Sequence, residues 1–336
     1  MGKERSLRAF LITVLSVQIS LVSAALSVAP ASAQTVAQLG PGINLGNVFD
    51  APGGEGTWRP LPAQESEFDA FKAAGFRHVR VPVTWGNHMG STPPYAIDPA
   101  FLNRITEVVN WGVSRGLIVV LNAHHEDWFK KDPNAQAARF DALWRQIAFA
   151  FRNVPNKKLV FEILNESDAQ TITDAETDAM NARVLAIIRK TNPARTVLIA
   201  AVGDNAGRLR DNRMAVPRDT HLMCTFHSYD PWSFASGETK TWGTEADKKY
   251  LLTGEPNFEA LEKWSQEHHC PLYLGEFGSS TKVNPASRVS WYGFIANQCV
   301  RRGISYAVWD DAGGDEIYDR KTGQWATGIL PVLFPH

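Results

Sequence analysis

Leu159-Val-Phe-Glu-Ile-Leu-Asn-Glu-Ser167 and its later counterpart Pro271-Leu-Tyr-Leu-Gly-Glu-Phe-Gly278 decide how this chain folds. Each is a short apolar run, bounded by turn residues, that ends in a carboxylate. That is how a buried parallel strand with a polar tip reads. Runs of the same kind fall at 42–47, 78–83, 117–125, 196–201, 221–229 and 304–309. Helical spacing fills most of the gaps: 64–74 with Gly75 as its stop, a helix capped by Asp98 and stopped by Gly116, then 135–151. Further helices begin at Asp174, ending before Pro193, and cover 258–268 and 285–302. Strands alternating with helices argue for a parallel sheet, and eight such units argue for closure. The expected fold is a single (β/α)8 TIM barrel over 34–336. Its weakest link is 203–219, where little helical pattern is visible. No Gly-x-Gly-x-x-Gly follows the first strand, which speaks against a dinucleotide-binding sheet.

The 336 residues suit one such barrel. A basic start, an apolar run from Ala9 to about Val28 and the small-x-small exit Ala31-Ser-Ala33 describe a secretory signal peptide over 1–33, cut after Ala33. The expected location is therefore secreted or periplasmic, with no membrane attachment after cleavage. Losing Lys3, Arg5, Arg8 and Glu4 with that segment takes the net charge from −1 to about −3. So weak a balance gives no footprint for nucleic acid and favours a neutral substrate. The 11 Trp, 7 Tyr and 17 Phe supply flat apolar faces of the kind sugar clefts use. Cys224, Cys270 and Cys299 are an odd set; a Cys270–Cys299 bridge and buried free thiols both stay open.

If the strands close into one barrel, Glu166 and Glu276 emerge at the same C-terminal rim, where such barrels place their chemistry. Arg80, His124, Asn165, His227, Tyr229 and Trp309 arrive at that end too. Two carboxylates facing one cleft are the minimum equipment for hydrolysing a glycosidic bond. Glu162 shares the parity of Glu166 but lies roughly 13 Å further down the strand. It reads as a structural carboxylate paired with a base inside the barrel. His124-His-Glu-Asp127 has the composition of a metal cluster, but adjacent strand histidines point apart and no third ligand spacing supports a tight site. No metal or cofactor is expected. The loop after strand six, 230–254, is long enough to serve the site. Its Trp232, and with less support Trp242, read as stacking platforms for sugar rings.

The motifs Gly42-Ile-Asn-Leu-Gly-Asn47, Val79-Arg-Val-Pro82, Leu121-Asn-Ala-His-His125, Phe161-Glu-Ile-Leu-Asn-Glu166, Phe226-His-Ser-Tyr-Asp-Pro-Trp232, Leu274-Gly-Glu-Phe-Gly278 and Trp309 resemble glycoside hydrolase family 5, the retaining β-glycanases that include many cellulases. The resemblance spans the mature chain. One departure is Ser167, where the family usually has Pro. The resemblance implies Glu166 as acid/base and Glu276 as nucleophile, the first starting protonated and the second held ionised by Arg80 and Tyr229. Asn165 would bond the sugar 2-hydroxyl, His124 and His227 would line the same subsite, and Trp309 would be its floor. Asn44 and His125 complete the implied substrate contacts. The implied activity is a secreted endo-β-1,4-glucanase acting as a monomer on β-glucan polysaccharide or oligosaccharide. A β-mannanase, xyloglucanase or mixed-linkage glucanase would use the same frame, and a non-catalytic glucan-binding barrel is the reading from another class.

Overall fold

The computed structural model describes residues 39–335, Pro60 excepted, so the segment read as an export signal lies outside the described residues. Strands β1 (Pro41–Asn44), β2 (His78–Val81), β3 (Ile118–Asn122), β4 (Leu159–Glu162), β5 (Val197–Asn205), β6 (Leu222–His227), β7 (Leu272–Phe277) and β8 (Ser305–Val308) close in sequential order into a barrel. Every neighbouring pair is parallel, β8 returning to β1 with Gly42 opposite Ala307. A short antiparallel hairpin, β9 (Tyr318–Asp319) with β10 (Gln324–Trp325), follows the barrel. The expected TIM barrel is therefore the fold.

The helices are α1 (Glu65–Ala74), α2 (Pro99–Ser114), α3 (Asp127–Lys131), α4 (Ala137–Ala150), α5 (Asp174–Arg189) and α6 (Ala206–Arg210). They continue with α7 (Trp232–Ala235), α8 (Glu245–Thr253), α9 (Phe258–His268), α10 (Pro285–Arg301) and α11 (Ile329–Leu333). Asp98 caps α2 through the Ala100 N–H, as its position predicts, and Gly75 ends α1 in the left-handed region at φ 106°. The weak 203–219 connection holds α6, whose five residues are too few to show a period; the Asn205 side chain caps it by accepting from Arg208 N–H. The 230–254 segment corrects the loop reading, because it contains α7 and α8. Thr244 and Asp247 form a capping box that starts α8. None of the described helices is long and apolar enough to cross a membrane.

Inside the barrel, side chains stack in layers. Leu39, Val120, Val160, Leu198, Met223, Tyr273 and Ala307 form a buried apolar cluster, with the His78 ring bonded to Tyr273 Oη at 3.0 Å. Above it the interior turns polar, with Arg80 and Glu162 both wholly buried. The outer core fills the space between strands and helices with residues such as Phe68, Trp144, Trp291 and Tyr292. Cysteine pairing differs from the Cys270–Cys299 option: Cys224 is bridged to Cys270, with Cα atoms 6.1 Å apart, and Cys299 is a buried free thiol. The reason is sheet order. Cys224 lies opposite Leu272 across the β6–β7 ladder, so it is a close neighbour of Cys270, whereas Cys299 sits on α10.

Candidate active site

Strand parity alone would not bring both carboxylates inward. Tyr273 and Gly275 face the barrel interior from β7, so a regular strand would turn Glu276 outward. The register shifts after Leu274 on the β8 side and beyond Phe226 on the β6 side, which re-aims Glu276 into the cleft. Glu166 is turned by a different device. Beyond the end of β4 it adopts φ 40°, a conformation that costs a non-glycine residue of order 1–3 kcal/mol. Asn165 and Glu166, adjacent in sequence, can then serve the same site. Gly275 has its own reason: a Cβ there would stand 2.9 Å from both His227 Nε2 and Thr225 Oγ1.

Glu276 is held on both oxygens. Arg80 Nη1 donates to Oε1 at 2.6 Å and Tyr229 Oη donates to Oε2 at 2.9 Å. Arg80 also donates to both oxygens of Glu162, at 2.7 and 2.8 Å, and to the side-chain oxygens of Asn44 and Asn165. Burial works against this guanidinium, but Glu162 and Glu276 outweigh it and keep it charged. Glu162 is the internal ion-pair partner that its depth predicts. It is nonetheless only one side chain away from Glu276, because Arg80 spans the two.

Glu166 is held more loosely. Its side chain is 46 % exposed, against 7 % for Glu276. Among the described residues its side-chain hydrogen-bond partner is His227, with Nδ1 2.8 Å from Oε1. Burial opposes ionisation of Glu166, but the His227 hydrogen bond and charge prevail and hold the carboxyl at about 2. Burial likewise opposes a charged imidazole, yet the carboxylates of Glu276, Asp204 and Glu166 raise His227 to about 9. These directions favour a charged His227 donating from Nδ1 to an ionised Glu166, where the sequence reading has Glu166 starting protonated. One oxygen of Glu166 lies within 4.8 Å of one oxygen of Glu276, with His227 as close to both.

A cleft of about 570 Å³ opens over these groups, lined among others by Asn165, Glu166, Tyr229, Glu276, His124 and His125. The His124 and Trp309 rings lie near-parallel, 6.2 Å apart, and both line it. Asn122 Nδ2 donates to His124 Nδ1, and burial keeps this ring neutral, leaving Nε2–H as its donor. Trp232 lines the cleft 63 % exposed, edge-on to Tyr229. Two expected substrate contacts are elsewhere. Trp242 is buried against Phe294, because α8 folds its segment back onto the wall. Asn44 is wholly buried, its amide donating to Gly275 and Val308 carbonyls while its oxygen accepts from Arg80. It positions Arg80 and is out of a ligand's reach.

Three cleft or near-cleft residues escaped the sequence reading. Trp58, half-exposed and edge-on to His125 at 5.5 Å, comes from the Gly- and Pro-rich loop after β1. A large aromatic in such a loop was the available signal. Asp50 is buried in the cleft wall, where burial raises it to about 6 although Asn47 and Val48 N–H groups donate to it. It brings a carboxylate within 4.8 Å of His124 and His125, a third group that linear spacing did not reveal. Asp204 is the third, at the end of β5.

Comparison with known proteins agrees with this geometry. Residues 43–313 match the family described as Cellulase (glycosyl hydrolase family 5). The chain belongs to glycosyl hydrolase family 5. This is a family of retaining glycoside hydrolases. The chain is 42 % identical over 307 residues to Endoglucanase H of Acetivibrio thermocellus, a match covering 90 % of this chain and 33 % of that protein. It thus spans a third of that relative's length. Among solved structures, Thermotoga maritima Cel5A in complex with cellobiose superposes with a TM-score of 0.85 at 32 % identity, covering 90 % of this chain and all of that one. The same enzyme in complex with mannotriose gives 0.84, at the same identity and coverage.

Proposed function

We propose that this family 5 chain is an exported endo-β-1,4-glucanase that cuts internal bonds of β-glucan chains, with Glu276 as nucleophile and Glu166 as acid/base. The observation that carries the assignment is the asymmetry of the two carboxylates. Glu276 is fixed on both oxygens by Arg80 and Tyr229, whereas Glu166 faces solvent and is hydrogen-bonded to His227 Nδ1. Their oxygens approach within 4.8 Å. That favours direct attack by a carboxylate at about 5–5.5 Å over the wider gap of about 6.5–9.5 Å that holds an attacking water.

In the first step a Glu276 oxygen bonds the anomeric carbon as the glycosidic bond breaks, and the departing oxygen takes a proton from Glu166. Glu166 obtains that proton from His227 Nδ1. In the second step water gives a proton to Glu166 and its oxygen displaces Glu276, which restores the starting configuration. Arg80 fixes Asn165 Oδ1, leaving the amide nitrogen to donate to the sugar 2-hydroxyl. Trp58, Trp232 and Trp309 offer ring faces along the cleft. Release of reducing ends from carboxymethyl cellulose, with an early fall in viscosity, is the test; a chain that binds glucan without releasing ends overturns it. Mannan is the second substrate to assay, because a structural relative is known with both cellobiose and mannotriose. Turnover of mannan above that of cellulose would move the substrate assignment while leaving the catalytic pair in place. The apolar segment before Ala33 supports export.

A further inference from the structure

Asp204 has no part in the two steps above, yet it closes a ring with two residues that do. It sits at the end of β5, where the β5–β6 register breaks between Ala200 and Asn205, and it is 1 % exposed. Its Oδ2 accepts the backbone N–H of Glu166 at 2.8 Å and lies 3.6 Å from His227 Nε2. His227 in turn reaches Glu166 Oε1 through Nδ1 at 2.8 Å. Both Asp204 and Glu166 hold left-handed backbone, at φ 48° and 40°. Among the described residues, the buried Asp204 Oδ1 and His227 Nε2 have no hydrogen-bond partner, so Asp204 faces the ring as a charge at ion-pair distance. Accepting the Glu166 N–H would need only a neutral amide oxygen. A buried carboxylate is costly unless a positive charge faces it, and the charge facing this one is the imidazolium.

We infer that Asp204 is a positioning residue for the acid/base: it pins the backbone of Glu166 and keeps on His227 the proton that Glu166 delivers. The transfer balances. The Nδ1–H bond of His227 breaks, an O–H bond forms on Glu166, and the ring keeps its Nε2–H toward Asp204. Glu166 passes that proton to the leaving oxygen. The proton it takes from water in the second step returns to Nδ1, so the ring ends as it began. The groups acting on this imidazole come from several elements. They are Glu166 and Glu162 from β4 and its end, Asp204 from β5 and Glu276 from β7, with His124 after β3. Arg80 from β2 stands behind Glu276, and Lys130 from α3 acts on Glu166 and Asp204. Burial raises the Asp204 carboxyl to about 7, with His227 pulling it down, so its charge is in place on the alkaline side where His227 needs support.

The inference rests on Glu166 being the acid/base, and its test separates the two. Asp204→Asn keeps an oxygen for the Glu166 N–H and removes only the charge. The His227 ring titration, followed by NMR, is expected to fall by about one pH unit or more when that charge goes. The alkaline limb of kcat/KM on a cello-oligosaccharide should move toward acid by the same amount. An unmoved imidazole titration overturns the inference, as does a loss of activity equal at every pH and accompanied by a lower melting temperature. A moved imidazole with an unmoved kinetic limb instead overturns the Glu166 assignment beneath it. If Asp204→Asn does not fold, Asp204→Ser, also neutral and able to accept, is read the same way.

Discussion

Glu276 and Glu166 are the same side chain placed in two environments. Glu276 is nearly buried, each oxygen takes a strong donor, and one donor, Arg80, is anchored to Glu162, Asn44 and Asn165. Glu166 is half-exposed, hangs on a left-handed residue and touches one group that can give up a proton. The first arrangement keeps a negative charge still; the second lets a proton come and go. A nucleophile and an acid/base need those two properties respectively. The difference is built by the backbone: a register shift turns Glu276 inward, and a positive φ turns Glu166.

The largest expected effect breaks the fixed side. Glu276→Gln should lower kcat roughly 10⁴-fold or more on every substrate, with the melting temperature little changed, because Gln still accepts from Arg80. Residual activity near wild type would remove Glu276 from the nucleophile role. Glu166→Gln tests the mobile side, and its effect should depend on the leaving group. Loss is expected at about 10²- to 10⁴-fold on cellulose chains, where the departing oxygen needs a proton. It should be far smaller on an aryl cellobioside whose phenolate leaves unaided, and equal losses on both would contradict an acid role. Tyr229→Phe removes one hydrogen bond to a charged oxygen, so a loss of about 10- to 100-fold is expected in kcat. Substrate binding should be nearly unchanged, and a rise in KM alone would assign Tyr229 to binding instead.

The smallest effect concerns stability. His227 is raised from 6.5 to about 9 in the folded chain, so its contribution is fully present below pH 6.5 and is lost as pH rises through 9. The melting temperature should therefore decline across that interval. His227→Gln should flatten the decline, and an unchanged slope in that variant would show that other groups cause it.

Much of this asymmetry could be read from the sequence, and the part that could not has a physical cause. Helix α9 begins at Phe258 and ends at His268 as its period predicts, and six of the eight strands fall within the apolar runs, whereas β1 starts one residue early and β5 runs on to Asn205. Glu166, Glu276, Arg80, His227 and Tyr229 were legible because strand ends deliver them to one rim. The short helices α3 and α6 were not, since five residues complete too little of a period to be seen. Trp232 and, with less support, Trp242 read as platforms from one loop; the segment leading into α8 packs the second into the wall. Asp204 reads in Val202-Gly-Asp-Asn205 as an ordinary turn residue, because its partners lie beyond β4 and on β6. The Cys224–Cys270 bridge likewise depends on which strands are neighbours, which spacing does not encode.

The central claim is that Glu276 attacks the sugar while Glu166 handles protons. An activated 2-deoxy-2-fluoro cellobioside tests it most directly, because the fluorine slows the second step and lets the glycosyl-enzyme accumulate. The account predicts one sugar unit per chain, mapped by peptide mass spectrometry to Glu276, with Glu166→Gln still labelled when the leaving group is good. A label on Glu166, or turnover with inversion and no covalent adduct, would contradict it.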